Sequence, residues 1–378
     1  MFLPISPSQS RTPRPAIHFF PTLRRLLLTS FVWLFAALNL STASAARTVT
    51  DDLNRTVSLT DDVRRVIIAD IYPLASLVAM LVDSRSIVGM HPVSMAAARA
   101  GLLGKVRPEV LKADTSFMRG SEANIESIMT LAPDVVFVNA SNKVLVKRLE
   151  AAGIPAVAVS ATRGDYDVFA TFSGWVQILH QVFGDAVDAR AIEAEAGRIR
   201  ALTAERTRGI KDADKRRVLF LVQYDARRMV TSGRRFFGQF WCEAAGCINV
   251  ASGINAENAG AVINIEQVYA WNPDAVLITN FTKAVPADLE SGALHDWSSV
   301  RAVQQKAVYK MPLGLYRSFT PSADSPLTLL WIAKTLYPSR FTDIDMTRET
   351  QDYYRSLFGV TLSQDEAAAL FPTARNPH

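Results

Sequence analysis

Short, unbroken apolar runs alternate along the chain with longer stretches whose apolar positions recur every three or four residues. "VIIA" (66–69), "IVGM" (87–90), "VVFV" (135–138) and "AVAV" (156–159) are runs of the first kind. A strand covered on both faces shows such a run, whereas a half-exposed strand alternates. Leu74, Leu77, Val78 and Leu81 mark a helix after the first run. The order strand, helix, strand predicts an α/β architecture with mainly parallel sheets. From Tyr166 to about Arg208 the strand pattern stops, and two long helices are predicted, 166–183 and 186–208, split at Gly184-Asp185. The second carries Glu193, Glu195, Arg198, Arg200, Glu205 and Arg206, a solvated face. The strand rhythm then resumes at "VLFLV" (218–222), "AVLIT" (275–279) and "VYKM" (308–311), and a closing helix covers 326–336. The predicted organisation is lobe, helical spacer, lobe. Ahead of the first lobe, "TVTDDLNRTVSL" (48–59) turns at Asp52-Leu53-Asn54 and predicts a small hairpin.

An internal repeat supports two lobes. "NIESIMTLAPDVVFVNAS" begins at Asn124 and "NIEQVYAWNPDAVLITNF" at Asn264. Six of the 18 positions are identical at a constant offset of 140, where chance would give about one. Each copy predicts an Asn-capped helix, a Glu in its first turn, a Pro past its end and a buried strand opening onto a loop. Two such lobes facing each other would line a cleft with their strand-end loops, where open α/β sheets bind ligands.

Charge and cysteine content then narrow the compartment. The 378 residues carry a net charge of +5, but Arg11, Arg14, Arg24 and Arg25 precede residue 46 with no acid among them. The remainder holds 37 basic and 36 acidic residues, so no nucleic-acid surface is implied. A basic segment ending at Arg24-Arg25, a 15-residue apolar core from Leu26 to Leu40 and Ala43-Ser44-Ala45 predict a signal peptide over 1–45, cleaved after Ala45. An uncleaved anchor helix is the alternative, although about 20 apolar residues are needed to span a bilayer. No Cys near that site suggests a lipoprotein, and export to the periplasm is expected. Cys242 and Cys247 are the only cysteines, so no disulfide framework holds the fold. They pair locally only if Gly246 ends a helix between them; otherwise they are two buried thiols.

Enzyme signatures are scarce. The chain has no G-x-x-x-x-G-K-[ST] loop, no G-x-G-x-x-G and no G-x-S-x-G elbow. His91, after the second strand, is the one histidine expected in the cleft, and one histidine does not make a bare metal site. The strand-end loops instead carry aromatic and cationic side chains: Tyr72, Phe117, Arg119, Tyr224, Arg227, Arg228, Arg234, Arg235, Trp241, Tyr316 and Arg317. Guanidinium forks and aromatic faces suit a bulky anionic or polycyclic ligand. Each alone could be a solvated loop residue.

Taken together, "DDLNRTV" (51–57), "VIIADIYPLASLVAML" (66–81), "SIVGM", both "NIE" repeats with their Pro-Asp-strand, and the helical spacer resemble the periplasmic substrate-binding proteins of the ferric-siderophore and vitamin B12 class, which feed ABC importers. The tail "SPLTLLWIAKTLYPSRFTDID" (325–345) is similar to a subgroup associated with iron or other metal chelates. Asn54 stands where the family usually has Gly, a mild departure, since Asn tolerates the left-handed conformation. The resemblance implies two Rossmann-like lobes joined by a rigid helical spacer with small hinge motion, the class III periplasmic binding protein fold. Its parts would be residues 1–45 as signal peptide, 46–165 as first lobe, 166–212 as spacer and 213–378 as second lobe with a helical tail. It implies a monomeric, non-catalytic protein without a resident cofactor that delivers an iron-siderophore or similar metal chelate to a permease dimer. By position, Glu126 and Glu266 would dock on that permease. Cobalamin or another corrinoid, haem and a nickel chelate are the alternatives within the class. A secreted α/β enzyme is the alternative outside it, and a buried titratable pair in the cleft would favour that reading. A sensor ectodomain would need a membrane span or signalling domain that the sequence does not show.

Overall fold

A computed structural model describes residues 47–120 and 122–372. The expected leader lies outside them. The chain divides between Ala45 and Ala46. The second part opens with a hairpin, β1 (Arg47–Thr50) and β2 (Thr56–Leu59), paired antiparallel. Asn54 takes φ +57° at its turn, the conformation expected where the family has Gly. Asp51 ties the hairpin to the first lobe: its carboxylate accepts from the backbone N–H of Leu53, Arg55 and Ala158.

The first lobe is built on β3 (Val66–Ile68), β4 (Ile87–Met90), β7 (Val135–Asn139) and β8 (Ala156–Val159), all parallel in the order β4-β3-β7-β8. A two-residue ladder between β5 (Met118–Arg119) and β6 (Glu122–Ala123) stands apart. The second lobe runs β12-β10-β9-β13-β14, from β9 (Arg217–Tyr224), β10 (Met229–Thr231), β12 (Ala261–Ile263), β13 (Ala275–Ile278) and β14 (Val308–Lys310). The short β11 (Ile248–Asn249) pairs with the start of β9. Its central strands are parallel, and β10 and β12 add an antiparallel edge that the sequence pattern did not indicate.

Helices flank both sheets. The first lobe carries α1 (Leu74–Val78), α2 (Pro92–Ala100), α3 (Ile125–Thr130) and α4 (Lys143–Ala151). The spacer is α5 (Val168–Phe183) and α6 (Ala189–Thr207), broken at Gly184 with φ +62°. The second lobe and tail add α7 (Phe237–Ala245), α8 (Ile265–Trp271), α9 (Ser325–Leu336), α10 (Met346–Phe358) and α11 (Gln364–Leu370). None of the described helices is long and apolar enough to cross a membrane.

The buried runs divide by parity. Val66, Ile68, Val135, Phe137, Val157 and Val159 of the first sheet share one apolar cluster with Val218, Phe220, Val222 and Leu277 of the second. That cluster also takes in Trp175 of the spacer and Leu330 and Tyr354 of the tail. The alternate residues, Ile67, Val136 and Ala158 in one sheet and Leu219, Val276 and Ile278 in the other, fill two separate clusters. Period-2 side chains on strands packed from both sides produce this division.

The two repeats fold alike. Asn124 Oδ1 accepts from Ser127 N at 2.8 Å, and Asn264 Oδ1 accepts from Gln267 N at 2.9 Å. The helices end on left-handed residues at equivalent places, Ala132 (φ +42°) and Asn272 (φ +41°). Asp134 Oδ2 accepts from the backbone N–H of Arg64 and Arg65, and Asp274 Oδ2 from that of Arg217. The guanidinium of Arg65 donates to Leu131 O, and that of Arg217 to Trp271 O, again 140 residues on. Each unit thus staples its helix end to the start of the lobe's leading strand.

Candidate functional site

The strand-end loops meet where the two lobes approach. Past β3 come Asp70 and Tyr72; past β4 comes His91, the N-cap of α2. The rings of Tyr72 and His91 stack with centroids 4.3 Å apart. His91 Nδ1 accepts the Val93 backbone N–H at 3.1 Å. That bond leaves Nδ1 bare and puts the ring proton on Nε2 in the neutral ring. Burial pulls the imidazole below its ordinary range, so it is neutral at pH 7. His91 therefore offers an N–H donor; metal ligation through Nε2 would require the proton on the occupied Nδ1.

The far end of α2 fixes the facing loop. Leu102 N donates to Gly314 O at 3.1 Å, and a Cβ on Gly101 would stand 2.7 Å from that same oxygen. Gly314, at φ +60°, begins the turn that presents Tyr316 and Arg317. Asp324, fully buried at the foot of α9, braces this turn by accepting Leu315 N at 2.6 Å and the Tyr354 hydroxyl. Burial raises the Asp324 carboxyl to about 6, partly offset by those two donors. A Cβ on Gly314 would collide with Asp324 Oδ2, so only Gly fits there.

Arg317 sits at φ +23°, a conformation rare for a residue with a side chain and characteristic of functional loops. Its guanidinium lies 4.9 Å from the Phe281 ring centroid and 5.8 Å from that of Tyr316, and no carboxylate pairs with it among the described residues. Burial pushes the Tyr316 phenol well up, Arg317 pulls it back, and Tyr72 of the other lobe adds a further push. Tyr72 and Tyr316 are thus near enough to interact electrostatically from the two lobes. Neither phenol has a hydrogen-bond partner among the described residues. The ring series continues through Phe281–Phe319, Phe319–Phe236 and Phe236–Tyr166 at 6.5, 5.2 and 5.9 Å, a floor that reaches the spacer.

One acid stands near. Asp70 accepts Asn139 N at 2.6 Å and Asn142 Nδ2 at 2.7 Å, so both its oxygens are engaged, and burial raises its carboxyl. Lys310 Nζ donates to the carbonyls of Thr279, Thr282 and Ala284 at 2.9, 2.7 and 2.8 Å. It holds the Phe281 loop, and burial pulls it down to about 8. Asp70, Phe281, Lys310 and Asp324 are absent from the residues that the sequence singles out. Phe281 closes the second repeat and carried some signal; the others show only in three dimensions.

Of the expected cleft residues, Tyr72, His91, Tyr316 and Arg317 come together. Three others turn inward and correct the expectation. Phe117 is fully buried in the first lobe's separate cluster. Trp241 is fully buried on α7, its indole N–H donating to Phe319 O at 2.8 Å. Tyr224 packs in the second lobe's cluster, and its hydroxyl accepts the Trp297 indole N–H at 3.0 Å. Tyr224 on β9 and Trp241 on α7 point to the covered side of their elements, and Phe117 turns inward from the loop ahead of β5. Arg227 and Arg228 occupy the exposed turn between β9 and β10, where Asp225 accepts both backbone N–H groups. Arg235 pairs with Asp165 and Glu257. Arg119 and Arg234 are exposed and have no side-chain partner among the described residues. Glu126 and Glu266 lie exposed in the first turns of α3 and α8.

Comparison with known proteins shows the family of the chain. The profile of a family described as "Periplasmic binding protein" matches residues 72–313. The chain belongs to the periplasmic binding protein family. The molybdate-binding protein MolA of Haemophilus influenzae is 28% identical over 347 residues, 86% of this chain and 95% of MolA. Its molybdate-bound crystal structure superposes with a TM-score of 0.70 at 25% identity, covering 84% of this chain and 99% of that one. A periplasmic solute binding protein from Veillonella parvula gives a TM-score of 0.76 at 24% identity, over 86% and 96% of the two chains. CeuE of Helicobacter pylori with Ni(II) bound gives 0.68 at 22% identity, over 86% and 99%. The fold is that of class III periplasmic binding proteins, which serve ABC importers. These relatives are binding proteins, in keeping with a non-catalytic role. Asp324, whose carboxyl is raised to about 6, braces a loop from beneath.

Proposed function

We propose that this binding protein captures an anionic, oxygen-rich metal species between its lobes and hands it to an ABC importer. One observation carries the reading: His91 Nε2–H, the Tyr72 and Tyr316 hydroxyls and the Arg317 guanidinium gather as donors without acceptors, while the neighbouring acid, Asp70, is already satisfied. Such a site is complete only when a ligand supplies oxygens, and unmatched donors make specificity steep. A metal oxyanion of the molybdate type is the favoured ligand. It is what the MolA relative binds, and the inward turn of Phe117, Trp241 and Tyr224 leaves less aromatic lining than a large polycyclic ligand would use. A compact metal chelate, an iron-siderophore among them, is the second reading, supported by the Tyr72–His91 stack and the part-exposed Phe281 ring.

Calorimetric titration with molybdate, tungstate, sulfate, ferric catecholates and hydroxamates, haem and cobalamin tests the reading. A metal oxyanion or a metal chelate should bind, and sulfate should bind less well. If nothing on that panel binds more tightly than about 100 μM, the reading fails.

Delivery would use the repeated helices. Glu126 and Glu266 are exposed, carry no ion pair among the described residues, and occupy equivalent first turns. Met129 and Tyr269, each three residues on and also exposed, give each acid an apolar neighbour. A permease of two-fold symmetry could engage both copies. The chain would reach it as an exported, periplasmic monomer freed of residues 1–45.

A further inference from the structure

The two cysteines occupy special places in one helix ending. α7 stops at Gly246, which is left-handed at φ 72° and ψ 32°. Cys247 N donates to Cys242 O at 2.8 Å, and Gly246 N to Glu243 O at 3.4 Å. These are the 6→1 and 5→2 bonds of a Schellman ending, with Cys242 the fourth-last residue of α7 and Cys247 two places past its end. In that ending those two side chains fold onto each other, which a continuous helix would prevent for residues five apart. Both thiols are free and buried, Cys242 at 1% exposure and Cys247 at 8%. The turn is also held from outside: Tyr337 Oη donates to Gly246 O at 2.7 Å and accepts Arg216 N at 3.0 Å.

We infer that Cys242 and Cys247 are a disulfide-forming pair, closed in the exported protein, that locks the end of the helix beneath the ligand-site floor. Phe237, on α7, belongs to that floor through its contact with Tyr166 at 5.3 Å. Closing the bond removes a hydrogen from each sulfur. Two electrons and two protons pass to an oxidising disulfide: one cysteine attacks it to give a mixed disulfide and one thiol, and the second cysteine resolves that species and releases the other thiol. Burial pushes the Cys242 thiol well up, so reaction in the folded state is slow and closure belongs to the folding chain. The cellular part of this inference rests on the exported reading above; the chemical part does not.

The test has two arms. Purified full chain is unfolded, refolded in a mixture of reduced and oxidised glutathione, acid-quenched and weighed. The expected product is about 2 Da lighter than the dithiol and resists alkylation until reduced. Its melting temperature should fall by about 2–5 °C on reduction. Cys247→Ser should melt with the reduced protein and be insensitive to reductant. Two alkylatable thiols, or a stable glutathione adduct, would overturn the pairing. In the second arm the chain is trapped with alkylating agent directly from the cell envelope, where the closed form is expected. A pair that closes in vitro but is recovered as two thiols would overturn its closure in the cell and count against export, while the ligand titration would be untouched.

Discussion

The two lobes share a scaffold and differ in chemistry. In both, an Asn-capped helix ends on a left-handed residue, an Asp takes backbone N–H groups of the leading strand, and an Arg caps the helix end. Past the strands the likeness ends. The first lobe ties its loops together with an acid, Asp70, between two asparagines. The second ties them with a cation, Lys310, on three carbonyls, and braces the Arg317 turn with Asp324 from the tail. The two repeats therefore share what sets the strands in place and differ in their strand-end loops, and the positive charge of Arg317 belongs to the second lobe alone.

The strongest way to break this comparison is to remove that charge. Arg317→Ala should weaken ligand binding by roughly ten- to a hundredfold, as loss of a charge-assisted contact does. Tyr72→Phe in the other lobe should weaken it only a few-fold by the same titration. Equal losses would mean that the lobes share the recognition.

A second test concerns the brace, which only one lobe has. The Asp324 carboxyl is raised to about 6, so the fold favours its protonated form. This group's contribution to stability is thus greatest at low pH and declines as pH rises from about 4 through 6. Asp324→Asn keeps an acceptor for Leu315 N without the ionisation. Its stability relative to the natural protein should improve by about 1 kcal/mol between pH 5 and pH 7.5, measured by denaturant unfolding. A difference that does not change with pH would remove the buried-acid account.

The shared scaffold predicts symmetry instead. Asp134→Asn and Asp274→Asn each weaken bonds to the leading strand and should each destabilise by about 1 kcal/mol. Strongly unequal values would show that the repeats are alike in outline but not in energy. The smallest effect expected in solution is that of Glu126→Lys and Glu266→Lys, which should leave stability and ligand affinity unchanged. With the cognate permease, either should impair uptake and the double change should do so more. Wild-type uptake by the double variant would reduce both acids to helix-start residues.

These differences also explain what the sequence disclosed. Strands buried on both faces appear as unbroken apolar runs, so β3, β4, β7, β8, β9, β13 and β14 were legible, as was the spacer with its break at Gly184. The repeat was legible because its Asn, Glu, Pro and Asp act within 18 residues. β10 and β12 were not, since three-residue edge strands carry little pattern. Phe117, Trp241 and Tyr224 miss the cleft because adjacency to a strand end does not fix which way an aromatic turns. Asp324 was invisible because its partners, Leu315 and Tyr354, lie nine and 30 residues away.

The apolar cluster common to both sheets, the spacer and the tail bears on delivery. Arg107 of the first lobe also donates to Phe358 O on the tail, so the tail ties to the first lobe as well as to that cluster. Close-packed interiors resist shear. An outline held this firmly carries little news of whether the site is filled. A transporter that must distinguish cargo-laden from empty carriers would have to sense the cargo's own charge at the cleft mouth, or let both dock and reject the empty one afterwards.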